Sequence, residues 1–345
     1  MPTSPLPAAA AGSPRPRLVI RLRNFIGDVV LGVPALRRLE AEGFELVLVG
    51  KRWAAELLAG EGWTVEPLPA GRLDRWRQLW RLRRGGARVP GPRLPGGVNA
   101  LSLPFSFSSA LEMRLAGLRP IGYDHEGRGF LLTRAVPRQR GRHELEVYWA
   151  LAQAALGRDE PVPARIDLRL APRHPERARA LMQAHGLRPG AFIALAPFAG
   201  GTFQKLSKEW PGFAAFAQAL RARGHTLVLC PGPGAETETA RRDYPGCVLL
   251  DGVDLGTYAA LLAQAALLVA NDTGPGHLAA AVGAPVLTVI GPTDPAQWRP
   301  WGPSAHLVQG ARRPQWPEAD AVLAATERLL PGPAAVAGAG GKPLA

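Results

Sequence analysis

"NDTGPGHLAAAVGAPVLTVIGPTDP", residues 271–295, decides the fold. Two polar residues close an apolar run, and a Gly-Pro-Gly turn follows. A helix of small residues then leads into a second apolar run, which ends in another Gly-Pro turn. Such a strand, turn, helix and strand series reads as a βαβ unit. Thr273 and Gly274 open the helix, and its first turn holds Gly276 and His277. The unpaired N–H groups and the positive end of the helix dipole make that start suited to an anion. Tight packing of a βαβ unit around an Asn-Asp turn explains Ala279, Ala280, Ala281 and Gly283, but not the Gly-Pro-Gly. A ligand that comes close to the backbone explains both.

Outward from this stretch, short apolar runs alternate with helical periods on both sides. In the first half "LVIRLRN", "FELVLVG", "WTVEPLP", "VNALSLP" and "RPIGYD" read as strands. "GDVVLGVPALRRLEAEG", "RWAAELLAG", "FSSALEMRLAG" and "RHELEVYWALAQAALG" read as helices, the first closed by Gly43. "RDEPVPARIDLRLAPRHP" has several prolines and no helical period, so it reads as a linker. A second series then begins at "AFIALAPF" and runs through "HTLVLCPG", "GCVLLDG" and "LLVAND" to "PVLTVIG". The expectation is α/β: two doubly wound parallel sheets facing across a cleft. A disordered leader is expected over residues 1–17, one domain over 18–165, a second over 166–330 and a disordered tail over 331–345.

Composition narrows the class. A chain of 345 residues with 47% hydrophobic content suits two full cores. No apolar run approaches the ~20 residues of a membrane span, and the first residues lack the pattern of a secretory signal. Two cysteines, Cys230 and Cys247, give no disulfide framework and point to a reducing compartment. They read as small buried hydrophobes. The formal charge of +13 is mostly arginine, concentrated at residues 72–93 around Trp76 and Trp80. That segment could meet nucleic acid, anionic lipid or a phosphorylated acceptor, although a solvated basic helix is the simpler reading.

Ligands of an open α/β sheet lie beyond the carboxyl ends of the strands, and three loops there carry chemistry. Asp28 follows the first strand. Its spacing alone favours a helix N-cap, and its alternative role is a general base facing the cleft. In "PFAGGTFQKLSKEWP", glycines precede hydroxyls, Lys205 and Lys208. Backbone N–H groups and one lysine would suit a diphosphate, while an ordinary surface loop explains the pattern equally well. No P-loop spacing occurs there, and no G-x-G-x-x-G follows the first strand, which disfavours a dinucleotide-binding domain. The third loop is the helix start at Thr273. The chain has no Asp-x-Asp pair and no tight His or Cys group, so a protein-held catalytic metal has little support.

Together these stretches resemble glycosyltransferase family 9, the ADP-heptose:lipopolysaccharide heptosyltransferases of GT-B fold. The resemblance spans about Leu18 to Leu330. "RLRNFIGDVVLGVPALRRL" resembles the family's opening strand, Gly-Asp turn and helix. "LPFSFSSALEMRLAGLRPIGYDHEGRGFLLT" is similar to its middle segment, in the heptosyltransferase II manner. "KEWP" matches its Lys-x-Trp-Pro motif. The stretch at 271–295, with "WGP", matches its most diagnostic segment. The loop before Lys208 departs from the family's short Pro-Gly-[Ala/Ser] form.

The resemblance implies an inverting, metal-independent transfer of heptose from ADP-heptose to the lipopolysaccharide inner core, with no cofactor. Asp28 corresponds to the base that deprotonates the acceptor, and Lys208 to the lysine on the donor diphosphate. Asp272, Thr273, Gly274 and His277 correspond to the phosphate-facing helix start. Glu236 corresponds to the ribose-binding acid, with Glu238 nearly as well placed. It also implies a cytoplasmic protein, peripheral on the inner face of the membrane, with a lipid-linked sugar acceptor and no nucleic acid. The rival readings are another nucleotide sugar or acceptor, or a non-catalytic protein that binds anionic lipid or nucleic acid. No RNA-binding motif supports the last.

Overall fold

The computed structural model describes residues 15–85 and 91–330. The first half contains β1 (Arg17–Arg21), α1 (Ile26–Ala41), β2 (Glu45–Gly50), α2 (Trp53–Leu57), β3 (Thr64–Pro67) and α3 (Arg72–Arg84). It continues with β4 (Ala100–Ser102), α4 (Phe107–Leu115), β5 (Pro120–Asp124), β6 (Arg134–Pro137) and α5 (Glu144–Leu156). The second half contains α6 (Arg173–Ala184), β7 (Phe192–Ala196), a hairpin of β8 (Thr202–Phe203) and β9 (Leu206–Ser207), and α7 (Phe213–Ala222). It then runs through β10 (Thr226–Leu229), α8 (Ala235–Asp243), β11 (Val248–Leu249), α9 (Leu255–Leu262), β12 (Leu267–Asn271) and α10 (Gly274–Ala281). It closes with β13 (Val286–Ile290), α11 (Pro295–Trp298), β14 (Ala305–Gln309) and α12 (Ala319–Leu329).

Both six-stranded sheets are parallel and share one topology. The first has the order β3-β2-β1-β4-β5-β6 and the second β11-β10-β7-β12-β13-β14. The chain reverses its direction of winding between β1 and β4, and again between β7 and β12. Each reversal leaves a crevice at the carboxyl ends of those strands, where such sheets bind ligands. The central strands are mostly apolar and buried on both faces; every residue of β7, β12 and β13 is buried, Asn271 and Thr288 being the polar ones. Helices covering both faces of a parallel sheet require that pattern.

The two halves share packed surfaces. One apolar cluster includes Leu18, Val29 and Leu36 from the first half together with Leu278, Ala279 and Ala281 from the second. The contact is close because residues at the start of α10 are small: a β-carbon at Gly274 would lie 2.9 Å from Cβ of Ile26. Arg37 ties the linker to α1, donating to the carbonyls of Ile166 and Asp167 at 2.7 Å each. The Leu168 N–H donates to the Ala281 carbonyl at 2.8 Å.

Several elements differ from the sequence expectation. β6 and β14 are edge strands, largely exposed, and β6 ends in a proline. They lack the apolar run that marks a buried strand. α6 begins at the end of the segment read as linker, and α12 also escaped the reading. α7 starts only at Phe213, because Trp210 is held in the preceding loop. Most of the expected leader, all of the expected tail, and residues 86–90 of the basic stretch lie outside the described residues; Arg17 already belongs to β1. Among the described residues no helix is long and apolar enough to cross a membrane.

Candidate active site

Asp28 is the third residue of α1, not its cap. Phe25 occupies the N-cap position, and no side chain caps the helix. The cap reading of Asp28 is therefore corrected: the Asn-Phe-Ile-Gly turn places the helix start three residues earlier. The carboxylate instead points at partners from other elements. The Tyr148 hydroxyl of α5 donates to Asp28 Oδ1 at 2.7 Å. Arg23, just past β1, brings Nε to 3.5 Å from Oδ2. Burial of Tyr148 beside this carboxylate holds its phenol well above the usual range, so it stays a donor.

The neighbouring strand ends complete a basic, aromatic surface. The Arg23 guanidinium lies 4.5 Å from the Phe105 ring centroid and that of Arg138 lies 4.1 Å from it. Phe105 follows β4 and Arg138 follows β6. Arg128, fully buried, fixes the Phe105 loop by donating to the carbonyls of Pro104 at 2.6 Å, Ser106 at 3.0 Å and Tyr123 at 2.9 Å. Glu144 accepts from Arg138 at 3.2 Å, and its burial raises its carboxyl pKa. None of these partners was legible in the sequence, since they arrive from different strand ends and from the buried face of α5. Tyr148 in particular sits in an apolar stripe that reads as core.

In the second half, Asn271 is buried and clamps two strand ends. Its amide accepts from the Trp210 N–H at 3.0 Å and donates to the Pro197 carbonyl. That fixes the loop after β7 against the start of α10. Thr273 occupies the N-cap position of α10 in extended conformation, without a side-chain cap. Pro275 has no N–H, and the Gly276 N–H reaches the Thr273 carbonyl at 3.1 Å. The remaining donors at this start are not filled by side chains.

Lys208, half-buried, follows the β8–β9 hairpin and acts electrostatically on both Asp272 and His277. Lys205 stands exposed at the hairpin tip, where Gln204 and Lys205 both take positive φ, 50° and 67°. Asp272 is only 6% exposed, and burial raises its carboxyl pKa while Lys208 opposes this. His277 is equally buried. Burial, then His143 and Lys208, pushes its imidazole down to about 3, so it is neutral. Its ring lies against Gly27 of α1, where an added β-carbon would be 2.6 Å from Cδ2. Asp28, the α10 start and His277 thus meet at the contact between the halves. His143, the cap of α5, also spans the halves: Nδ1 accepts from the Leu145 N–H at 3.2 Å, which leaves Nε2 as donor to the Arg299 carbonyl at 2.8 Å.

Glu236 and Glu238 separate clearly. Glu236 accepts from the Gly232 N–H at 2.8 Å and lines a crevice with Pro197, Cys230, Tyr258 and Pro275. Glu238 is exposed and does not line it. A larger hollow, lined by Arg17, Asn99 and Arg119 among others, lies at the amino ends of β1 and β4 and contains none of these groups. Glu56, His174 and Asp254 come close enough to hold a metal ion. Arginines already serve both carboxylates, however. Arg173 donates to both Glu56 oxygens at 3.0 Å and draws that carboxyl pKa down to about 2, and Arg177 reaches Asp254 at 3.2 Å. The cluster is an ion-pair network joining α2, α6 and α9.

Each half thus carries one switch-point crevice, the first with a carboxylate and the second with a helix start. The model of "Glycosyltransferase family 9 (heptosyltransferase)" matches residues 99–324. Lipopolysaccharide heptosyltransferase 1 of Pseudomonas aeruginosa is 30% identical over 309 residues, which is 84% of this chain and 83% of that protein. The chain belongs to glycosyltransferase family 9 and is a transferase enzyme. The fold is shared with ADP-heptose LPS heptosyltransferase II of E. coli, with a TM-score of 0.72 and 22% identity over 91% of this chain and 98% of that one. It is also shared with an E. coli heptosyltransferase solved with ADP, with a TM-score of 0.68 and 22% identity over 91% and 99% of the two chains.

Proposed function

We propose that the protein transfers a heptose from ADP-heptose to the lipopolysaccharide inner core, inverting the anomeric centre, with Asp28 as general base. The observation that carries this reading is the apposition of Asp28 and the uncapped start of α10 across the Gly27–His277 contact. The acceptor hydroxyl gives its proton to Asp28 while its oxygen attacks the anomeric carbon. The bond to the diphosphate breaks, and ADP leaves as an anion. N–H groups at Thr273 and Gly274, together with the Lys208 ammonium, stabilise the charge that develops there. Asp272 enters as the counter-ion that places Lys208, because a carboxylate aimed at a diphosphate would repel it. Neutral His277 packs the helix start against α1 without adding charge. Glu236, which lines the crevice with Pro197, Tyr258 and Pro275, takes the ribose hydroxyls.

The first half, about residues 18–165, is the acceptor domain, and residues 166–330 form the donor domain. Arg23 and Arg138 on Phe105 give the acceptor side two cations beside the base, which suits a phosphorylated or carboxylated sugar. A lipid-linked acceptor places the enzyme at the inner face of the cytoplasmic membrane. With N–H groups and Lys208 at the leaving group and no Asp-x-Asp pair in the chain, the reading requires no metal. A different nucleotide sugar on the same machinery is the second reading, favoured by the unusual hairpin before Lys208.

The test is calorimetric and thermal-shift binding of a nucleotide-sugar panel to EDTA-treated protein, followed by transfer assays on core acceptors. ADP-heptose is expected to bind and to be consumed without added metal. ADP binding that vanishes with EDTA and returns with magnesium sinks the metal-free reading, and turnover of another sugar alone establishes the second.

A further inference from the structure

Six of the eight large apolar side chains that stand exposed among the described residues belong to the first half: Phe25, Leu73, Trp76, Phe107, Leu115 and Phe130. Five of them join into one ridge. Phe130 and Phe107 have ring centroids 6.0 Å apart. Phe107, Leu111 and Leu115 recur at spacings of four on α4, so they form one stripe along the helix. The Leu115 carbonyl accepts from the Trp76 indole at 3.1 Å, which carries the ridge onto α3. There Trp76 stacks with Trp80 at 6.3 Å, and Leu73 lies one turn before. Leu73, Leu115 and Phe130 are 70%, 65% and 75% exposed.

The rim is basic. α3 carries six arginines against one aspartate. Arg75, Arg77 and Arg81 are paired with Glu112, Asp74 and Glu66. Arg72, Arg84 and Arg114 have no carboxylate partner among the described residues, and Arg84 lies 3.6 Å over the Trp80 ring. A continuous apolar ridge this exposed is uncommon on a monomer and marks a contact surface. Leu and Phe along its length would face phosphates in a nucleic-acid complex. They suit acyl chains instead, with Trp at the headgroup level and arginines reaching lipid phosphates.

We propose that the α3–α4 ridge docks the protein onto an anionic lipid surface. It rests on the transferase reading only for its purpose, which is to bring a lipid-linked acceptor to Asp28. The ridge begins beside that site, since Phe107 is two residues from Phe105, whose ring lies under Arg23, the ion-pair partner of Asp28.

The experiment is co-sedimentation of the full chain with phosphatidylcholine vesicles, with and without phosphatidylglycerol, at low and high salt. ADP affinity and melting temperature are measured on the same preparations. The wild-type protein is expected to prefer the anionic vesicles by about tenfold or more, with salt weakening the binding. Leu115→Ser/Phe130→Ser should lose about tenfold of that binding while keeping ADP affinity and fold. Equal binding to neutral and anionic vesicles, or full binding by the double variant, overturns the proposal. So does a wild-type dimer that the double variant converts to monomer, because the ridge would then be a self-association face. Loss of ADP binding with vesicle binding intact would count against the transferase reading alone.

Discussion

The His277 imidazole lies directly against Gly27, so closely that a β-carbon at position 27 would sit 2.6 Å from Cδ2 and 3.0 Å from Nε2. This one contact joins the amino-terminal turns of α1 and α10, and with them the two halves of the site. Gly27→Ala should force those turns apart, at a cost of about 1–3 kcal/mol, and lower turnover more than ADP affinity. Gly27→Ala/His277→Ala should recover part of the lost melting temperature. No recovery means that the strain arises elsewhere.

Asp28→Asn separates the chemistry from the architecture. The Asn carbonyl can still accept from Tyr148, while the helix loses its favourable first-turn charge, about 0.3–1 kcal/mol, and Arg23 loses its ion pair. An amide cannot take up the acceptor proton, so transfer should fall by roughly 10²–10⁴ with ADP affinity nearly unchanged. Near-normal turnover in a stable, donor-binding variant would place the base elsewhere in the first half.

On the proposed reading Lys208 meets the donor diphosphate, so Lys208→Ala should weaken ADP binding by about 1.5–3 kcal/mol. Lys205→Ala, at the exposed hairpin tip, should change it little. Calorimetry showing the reverse order would exchange their roles.

Stability should fall as the solution is acidified below about pH 6.5, the ordinary histidine range. The His277 imidazole titrates only at about 3 in the folded protein. Between those values the unfolded chain binds a proton that the folded chain excludes, so protonation favours unfolding. His143, also lowered by burial, acts in the same direction, while buried Asp272 and Glu144, raised by burial, oppose both. Melting temperature measured against pH should therefore be shallower for His277→Asn than for wild type. Parallel curves would remove His277 from the titration.

The alternation of strands and helices was legible because a parallel strand buried on both faces must be mostly apolar, and β7, β12 and β13 are, with Asn271 and Thr288 as their polar residues. So was the start of α10 at Thr273 and Gly274, since Gly-Pro-Gly opening a small-residue helix is a local signature with a local cause. The edge strands β6 and β14 were not, because one side of an edge faces solvent and places little demand on residue type. Asp28 shows the limit most sharply. Sequence located the carboxylate at the start of α1, but a shift of a few residues in the helix start decides between cap and free side chain. Only the folded chain placed it at the third helical position, with Tyr148 and Arg23 on its oxygens. Arg23, Phe105 and Arg138 come together because β1, β4 and β6 end on the same edge of one sheet, and His277 reaches Gly27 because two switch points face each other. Strand order and the packing of one half on the other create those meetings, and neither leaves a periodic mark in the chain.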